Sequence, residues 1–157
     1  MALFLSTFVN KVDRKGRVSV PAPFRAALAM QSFPGVVAMP LHTFPSIECF
    51  GHDRMERMSQ SLDELDVFSP KQTDLAMTVF ADAQPLPFDG EGRILLPRPL
   101  AEHAKIDGQA LFVGAGPTFQ IWEPGAFARH KAEARLRAQR DGLTMRLKRP
   151  GDTPDQG

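Results

Sequence analysis

Val12-Asp13-Arg14-Lys15-Gly16-Arg17-Val18-Ser19-Val20-Pro21 is the stretch around which this 157-residue sequence is organised. It returns at a constant offset as Phe88-Asp89-Gly90-Glu91-Gly92-Arg93-Ile94-Leu95-Leu96-Pro97. Asp, Gly, Arg and Pro repeat in identity, and Val18 and Val20 of the first copy are matched by the apolar residues Ile94 and Leu96 in the second. An internal repeat of this kind indicates two copies of one structural unit.

Each copy is predicted to be a β-hairpin that leads into a short helix. Strand-forming residues precede Asp13, and apolar and polar residues alternate after Gly16. Asp13 can accept hydrogen bonds from the N–H groups of the loop, and Gly16 can adopt a positive φ at little cost. Pro21 cannot donate to a β-ladder, and Pro23 suits the first turn of a helix. The second copy has the same residues at the equivalent positions, namely Asp89, Gly92, Pro97 and Pro99.

The remaining pattern predicts an α+β fold with a pseudo-two-fold relation inside one chain. Further strands are expected at 36–39 and 46–50 in the first half, and at 110–114 and 118–122 in the second. Two amphipathic helices, from Asp53 to about Val67 and from about Pro70 to Ala83, are expected to link the halves. Ser69 is a suitable N-cap for the second of these. A last helix, rich in Ala and Arg, is expected to start near Pro124.

Composition argues against several classes of protein. The sequence contains no apolar run of about 18 residues, so no transmembrane helix is predicted. The N-terminus lacks the features of a signal peptide. The single cysteine, Cys49, excludes an intrachain disulfide framework and fits a reducing compartment. We therefore expect a cytoplasmic protein with no membrane partner and no cofactor.

Charge is distributed unevenly along a chain whose net charge is only +1. Residues 11–25 carry five basic side chains against one acidic, and 129–149 carry eight against two. Residues 48–82 instead carry eight acidic groups against three basic ones. Basic ends and an acidic middle are typical of a chain that meets a polyanion with one face.

The first copy of the repeat is the candidate binding site. Asp13, Gly16, Asp89 and Gly92 are interpreted as turn-forming residues, and Arg17 could pair with Asp13. Turn formation does not explain why basic residues crowd the first hairpin; they are Lys11, Arg14, Lys15 and Arg17. A two-stranded ribbon fits the major groove of double-stranded DNA, where arginine can contact guanine and lysine the phosphates. The second copy, with Arg93 and nearby Arg98 as its basic groups, is expected to bind more weakly or to serve assembly.

The usual enzyme motifs are absent, including the nucleophile elbow, the Walker loop and the dinucleotide-binding fingerprint. We therefore expect a protein that is not an enzyme. Two alternatives remain open. One is a protein-interaction module, similar to an antitoxin, whose basic hairpin meets an acidic protein. The other is a metal-dependent hydrolase built on His42, Cys49 and His52, although their spacing matches no common ligand pattern.

The doubled motif, with Val20-Pro21 and Leu96-Pro97 after it, resembles the D-x-x-x-R signature of the MraZ family. The resemblance covers nearly the whole chain, including the linking helices and the strand that contains Trp122. It implies two tandem AbrB-like (SpoVT-AbrB) units, each half of a swapped-hairpin β-barrel. The signature arginine corresponds to Arg17 and Arg93, and the signature lysine to Lys15. The second copy has Glu91 at the position of Lys15.

The resemblance also implies a function and a set of boundaries. The family comprises bacterial DNA-binding regulators of the promoter of the division and cell-wall gene cluster, and their ring-like homo-oligomers grip short direct repeats. Such a protein would be associated with the nucleoid. The units would span 7–54 and 83–126, joined by linking helices at 55–82. The residue pattern, and not the resemblance, predicts a basic helix at 127–149, and the polar composition rich in Pro and Gly predicts a disordered tail at 150–157.

Overall fold

The fold was analysed in a computed structural model, in which residues 2–151 are described. The predicted tail at 150–157 therefore lies largely outside the described residues. The chain divides after residue 127 into two units. The first contains eight strands; they are β1 (Thr7–Lys11), β2 (Arg17–Ser19), β3 (Gly35–Leu41), β4 (Ser46–Phe50), β5 (Gln84–Pro87), β6 (Arg93–Leu95), β7 (Gln109–Gly114) and β8 (Phe119–Trp122).

The helices fall between and after these strands. Short helices follow the two motifs, α1 (Ala22–Ala27) and α4 (Arg98–His103), and each has a proline in its first turn. The linking region holds α2 (His52–Asp63) and α3 (Pro70–Leu75), and α3 continues as a π-helical turn, Ala76–Phe80. The Ser69 hydroxyl accepts the Gln72 N–H at 3.2 Å, which confirms the predicted cap. The last helix, α5 (Pro124–Asp141), extends into the second unit.

Six strands form one antiparallel sheet in the order β1-β7-β8-β4-β3-β5. The order reads the same if the two copies of the repeat are exchanged, since β1 corresponds to β5, β3 to β7 and β4 to β8. The first strand of each copy pairs with the third strand of the other copy, β1 with β7 and β5 with β3. The two halves are therefore interleaved through their backbones.

The strands that follow the two turns form a separate ribbon. β2 pairs antiparallel with β6, with Val18 opposite Ile94 at its centre. The N–H of Val20 donates to the Gly92 carbonyl at 3.1 Å, and the N–H of Leu96 donates to the Gly16 carbonyl at 2.8 Å. Exchanging the two copies of the repeat converts one of these hydrogen bonds into the other. The pseudo-two-fold axis that relates the copies therefore passes between Val18 and Ile94.

Two features differ from the sequence-based prediction. The arms of each motif separate, because β1 and β2 form no ladder with each other and pair instead with strands of the other copy, as β5 and β6 also do. An isolated bridge between Val12 and Val18 remains at the neck of the first motif. The predicted β-barrel is wrong for residues 2–151, where the six-stranded sheet is open and ends at β1 and β5. β2 and β6 pair with each other instead of joining its edges, so they close no cylinder.

The core lies between the sheet and the ribbon. Val18 and Ile94, on the inner face of the ribbon, are almost completely buried. Phe24 of α1 is the hub of an aromatic cluster, with ring centroids 4.9–6.5 Å from four neighbours; they are Phe4, Phe8, Phe112 and Phe119. Burying the inner face of the ribbon leaves its other face available to solvent.

Candidate nucleic-acid interface

The turn of the first motif is organised by one carboxylate. Asp13 Oδ1 accepts the N–H groups of Lys15 and Arg17, both at 2.9 Å, and Oδ2 accepts Arg17 Nε at 2.7 Å. The Gly16 N–H closes the turn on the Asp13 carbonyl at 3.0 Å, and Gly16 has a φ of +88°. Within residues 2–151 the two terminal amino groups of Arg17 make no hydrogen bond. Asp13 thus orients a guanidinium whose outer edge can take another partner.

The second motif has the same geometry with one difference. Asp89 Oδ1 accepts the N–H groups of Glu91 and Arg93 at 2.9 Å, and Oδ2 accepts Arg93 Nε at 2.8 Å. Gly92 has a φ of +75°. Here Arg93 Nη1 also lies 3.5 Å from the Glu91 carboxylate. Arg93 is therefore partly engaged by its own turn, unlike Arg17.

The turns stabilise the ionised forms of Asp13, Asp89 and Arg93. The backbone N–H of Arg17, followed by its guanidinium and the N–H of Lys15, lowers the pKa of Asp13 against an opposing desolvation effect. The backbone N–H of Arg93 is likewise the main cause that lowers the pKa of Asp89. The hydrogen bond that the Arg93 side chain donates to Asp89 raises the pKa of Arg93. Asp13 and Asp89 are accordingly ionised at neutral pH, and each lies against the arginine of its own motif.

The ribbon brings the two signature arginines to one exposed face. Arg17 lies opposite Leu95, and Ser19 lies opposite Arg93. Directly opposed residues share a face of a β-ribbon, and the alternate residues Val18 and Ile94 are buried behind them. One open groove touches both copies; its lining includes Lys11, Arg14, Arg17, Ser19 and Arg93. Lys15 is exposed in the first turn.

Two contacts in this region were missed by the sequence reasoning. Asn10 Nδ2 donates to the Ser19 carbonyl at 2.7 Å and ties β1 to β2. Arg25 Nε donates to the Val20 carbonyl at 3.1 Å, and its guanidinium lies against Gly92, where a Cβ would come within 2.6 Å of Nη1. The repeat gives no signal for either residue, because Leu86 and Ala101 stand at the equivalent positions.

The three residues of the metal-site alternative each have other neighbours. Cys49 is completely buried in the core, and burial raises the pKa of its thiol well above the usual value. His42 Nε2 lies 3.8 Å from Asp82, and His52 Nδ1 lies 3.1 Å from Glu56. Within the described part of the chain, no group of three or more His, Cys, Asp or Glu residues could hold a metal ion.

None of the helices described between residues 2 and 151 is long and apolar enough to cross a membrane.

Comparison with known proteins identifies the family. A family model described as "MraZ protein, putative antitoxin-like" matches residues 79–147. A protein of Gluconacetobacter diazotrophicus named transcriptional regulator MraZ is 46% identical, over 96% of this chain and 98% of the relative. The proteins of the same name from Pelagibacter ubique and Rickettsia akari are 45% and 42% identical, over 92% and 93% of this chain. These names denote regulators and not enzymes, in agreement with the sequence analysis. The similarity to each of these three relatives extends over nearly the full length of both proteins, and the chain belongs to the MraZ family.

Proposed function

We propose that this chain is a sequence-specific DNA-binding regulator of transcription, and that the outer face of the β2·β6 ribbon is its reading surface. The observation that carries the proposal is the placement of Arg17 and Arg93 on that one exposed face. Each guanidinium is held through Nε by its aspartate. An arginine oriented in advance loses less freedom on binding than a mobile one.

The dimensions of the ribbon suit the major groove of B-DNA. Each of its strands has three residues, which at a rise of about 3.3 Å per residue span about 10 Å. The major groove is about 12 Å wide and admits a two-stranded ribbon. In this arrangement Arg17 contacts guanine through its terminal amino groups, and Lys11, Arg14 and Lys15 contact phosphates. Arg93 contributes less, because Glu91 competes for it.

The architecture that supports this surface is proposed to be two tandem AbrB-like units with swapped hairpins. They span 7–54 and 83–126, with linking helices at 55–82 and a basic helix at 127–149. The symmetric strand order of the sheet supports this division, since each copy completes its pairing with strands of the other.

Several subunits would act together on DNA. A ribbon this small buries little surface, whereas linking several weak contacts raises avidity by about 10²–10⁴. We propose a ring-like homo-oligomer that grips short direct repeats in the promoter of the division and cell-wall gene cluster, upstream of its own gene. Such a protein would be nucleoid-associated in the cytoplasm. Binding should weaken steeply with salt, since it displaces counterions from phosphates.

The test is footprinting of that upstream region with the native chain and Arg17→Ala. The matched control is Arg98→Ala, which removes the same charge from an arginine that is 90% exposed on α4 and paired with Glu102. Loss of one bidentate guanine contact should cost about 1–3 kcal/mol, or about 5- to 150-fold in affinity. Equal protection by the native chain and Arg17→Ala would refute the role of the ribbon.

A second candidate is favoured by the words "antitoxin-like" in the description of the family model. In this case the basic surface meets an acidic protein and no specific DNA. A mobility shift separates the two functions: a protein-interaction module would retard the upstream fragment no better than an unrelated fragment of equal length.

A further inference from the structure

Leu95 is an apolar side chain at one end of the cationic face of the ribbon. It is 57% exposed and lies directly opposite Arg17. Its side chain reaches the first turn, because a Cβ placed on Gly16 would lie 3.6 Å from Leu95 Cδ1. Leu95 therefore belongs to the neighbourhood of the first motif in space, although it belongs to the second copy in sequence.

Leu95 breaks the symmetry of the ribbon. Its equivalent in the first copy is Ser19, which lies opposite Arg93. One end of the face thus presents an arginine beside a leucine, and the other end an arginine beside a serine. The apolar residues between them, Val18 and Ile94, point into the core. Among the residues of β2 and β6, Leu95 is the exposed apolar side chain.

We propose that Leu95 contacts the C5-methyl group of thymine, close to the base that Arg17 reads, and so acts as a specificity-determining residue. This inference rests on the DNA-binding function proposed above. In the major groove the thymine methyl group is the apolar feature that side chains recognise by contact. Opposed residues have Cβ atoms about 5 Å apart, and base pairs stack about 3.4 Å apart. Arg17 and Leu95 therefore reach positions one or two base pairs apart, and the asymmetry gives each subunit a direction on its site.

The test removes the methyl group without requiring knowledge of the operator. The fragment upstream of the gene is amplified once with dTTP and once with dUTP, the second time from primers that carry uracil in place of thymine, so that the two duplexes differ in every C5-methyl and in nothing else. Affinity of the full chain for both is measured by mobility shift, together with Leu95→Ser and Leu95→Met. Serine reproduces the first copy, whereas methionine keeps an apolar contact.

The native chain should bind the thymine duplex about fourfold more tightly per engaged subunit, as expected for the burial of one methyl group. Leu95→Met should retain this preference, and Leu95→Ser should lose it while still binding DNA. Equal binding of both duplexes by the native chain would overturn the inference alone. An unchanged preference in Leu95→Ser would also overturn it, because the methyl effect would then arise elsewhere. Absence of binding to either duplex would instead refute the proposed function.

Discussion

Glu91→Lys offers a gain-of-function test of the difference between the two motifs. Glu91 occupies the position of Lys15, is 74% exposed, and places a carboxylate oxygen 3.5 Å from Arg93 Nη1. The substitution changes the charge of the second turn by two units and releases the Nη1 group of Arg93. It leaves the hydrogen bond from Arg93 Nε to Asp89 intact. Loss of the Glu91–Arg93 ion pair, which lies at the surface, should change the free energy of unfolding little. We expect the variant to fold as the native chain does and to bind the upstream DNA more tightly.

The magnitude follows from the number of phosphate contacts. One added contact per engaged subunit should steepen the slope of log K against log salt by about 0.9. The gain in affinity over the native chain should then be about threefold to fourfold larger at 50 mM than at 200 mM salt. Fluorescence anisotropy with a labelled upstream duplex, titrated at both salt concentrations, measures the slope directly.

The matched control is Glu102→Lys, which makes the same change of charge on α4. Glu102 is 71% exposed and pairs with Arg98 within α4. Both variants alter the long-range field by the same net charge, so the difference between their slopes isolates the local contact. If Glu91→Lys binds no better than Glu102→Lys, the second turn does not approach DNA. The proposal that both motifs contribute to one reading surface is then refuted.

Three further outcomes follow from the structure. Phe24→Ala should lower the free energy of unfolding by about 3–5 kcal/mol in urea denaturation, because it empties the centre of the aromatic cluster; a loss below about 1 kcal/mol would contradict this role. The lowered pKa values of Asp13 and Asp89 imply a contribution to stability that is present above the unfolded value of about 4 and is lost as the pH falls through the folded values. The double variant Asp13→Asn/Asp89→Asn should therefore be less stable than the native chain at neutral pH and converge with it in acid, and a constant difference in urea midpoints across pH would contradict this. The buried Cys49 thiol should react with a thiol reagent only in denaturant, because burial raises its pKa; rapid labelling of the native chain would show that the core is open there.

The local geometry of the two motifs was predictable from the sequence. The Asp and Gly of each copy act over two to four residues, so the composition of the turn is enough to indicate its hydrogen bonds and the positive φ of its glycine. The pairing of Arg17 with Asp13 was recognised as an option for the same reason. The helix that begins after Ser69 was equally readable, because capping depends on neighbouring residues. The helix before it ends at Asp63, four residues earlier than its apolar pattern suggests.

The choice of strand partners was decided by the tertiary structure. Alternation along the chain determines that Arg17, Ser19 and Leu95 avoid the core, but it does not identify the strand that lies beside them. Two separate hairpins and one shared ribbon are both compatible with the same repeat. Pairing β2 with β6 joins segments far apart in sequence, and it is favoured because Val18 and Ile94 bury each other against one core. The repeat by itself therefore determined two identical turns, whereas their union into one face, with Leu95 beside Arg17, came only from the packing of the two halves.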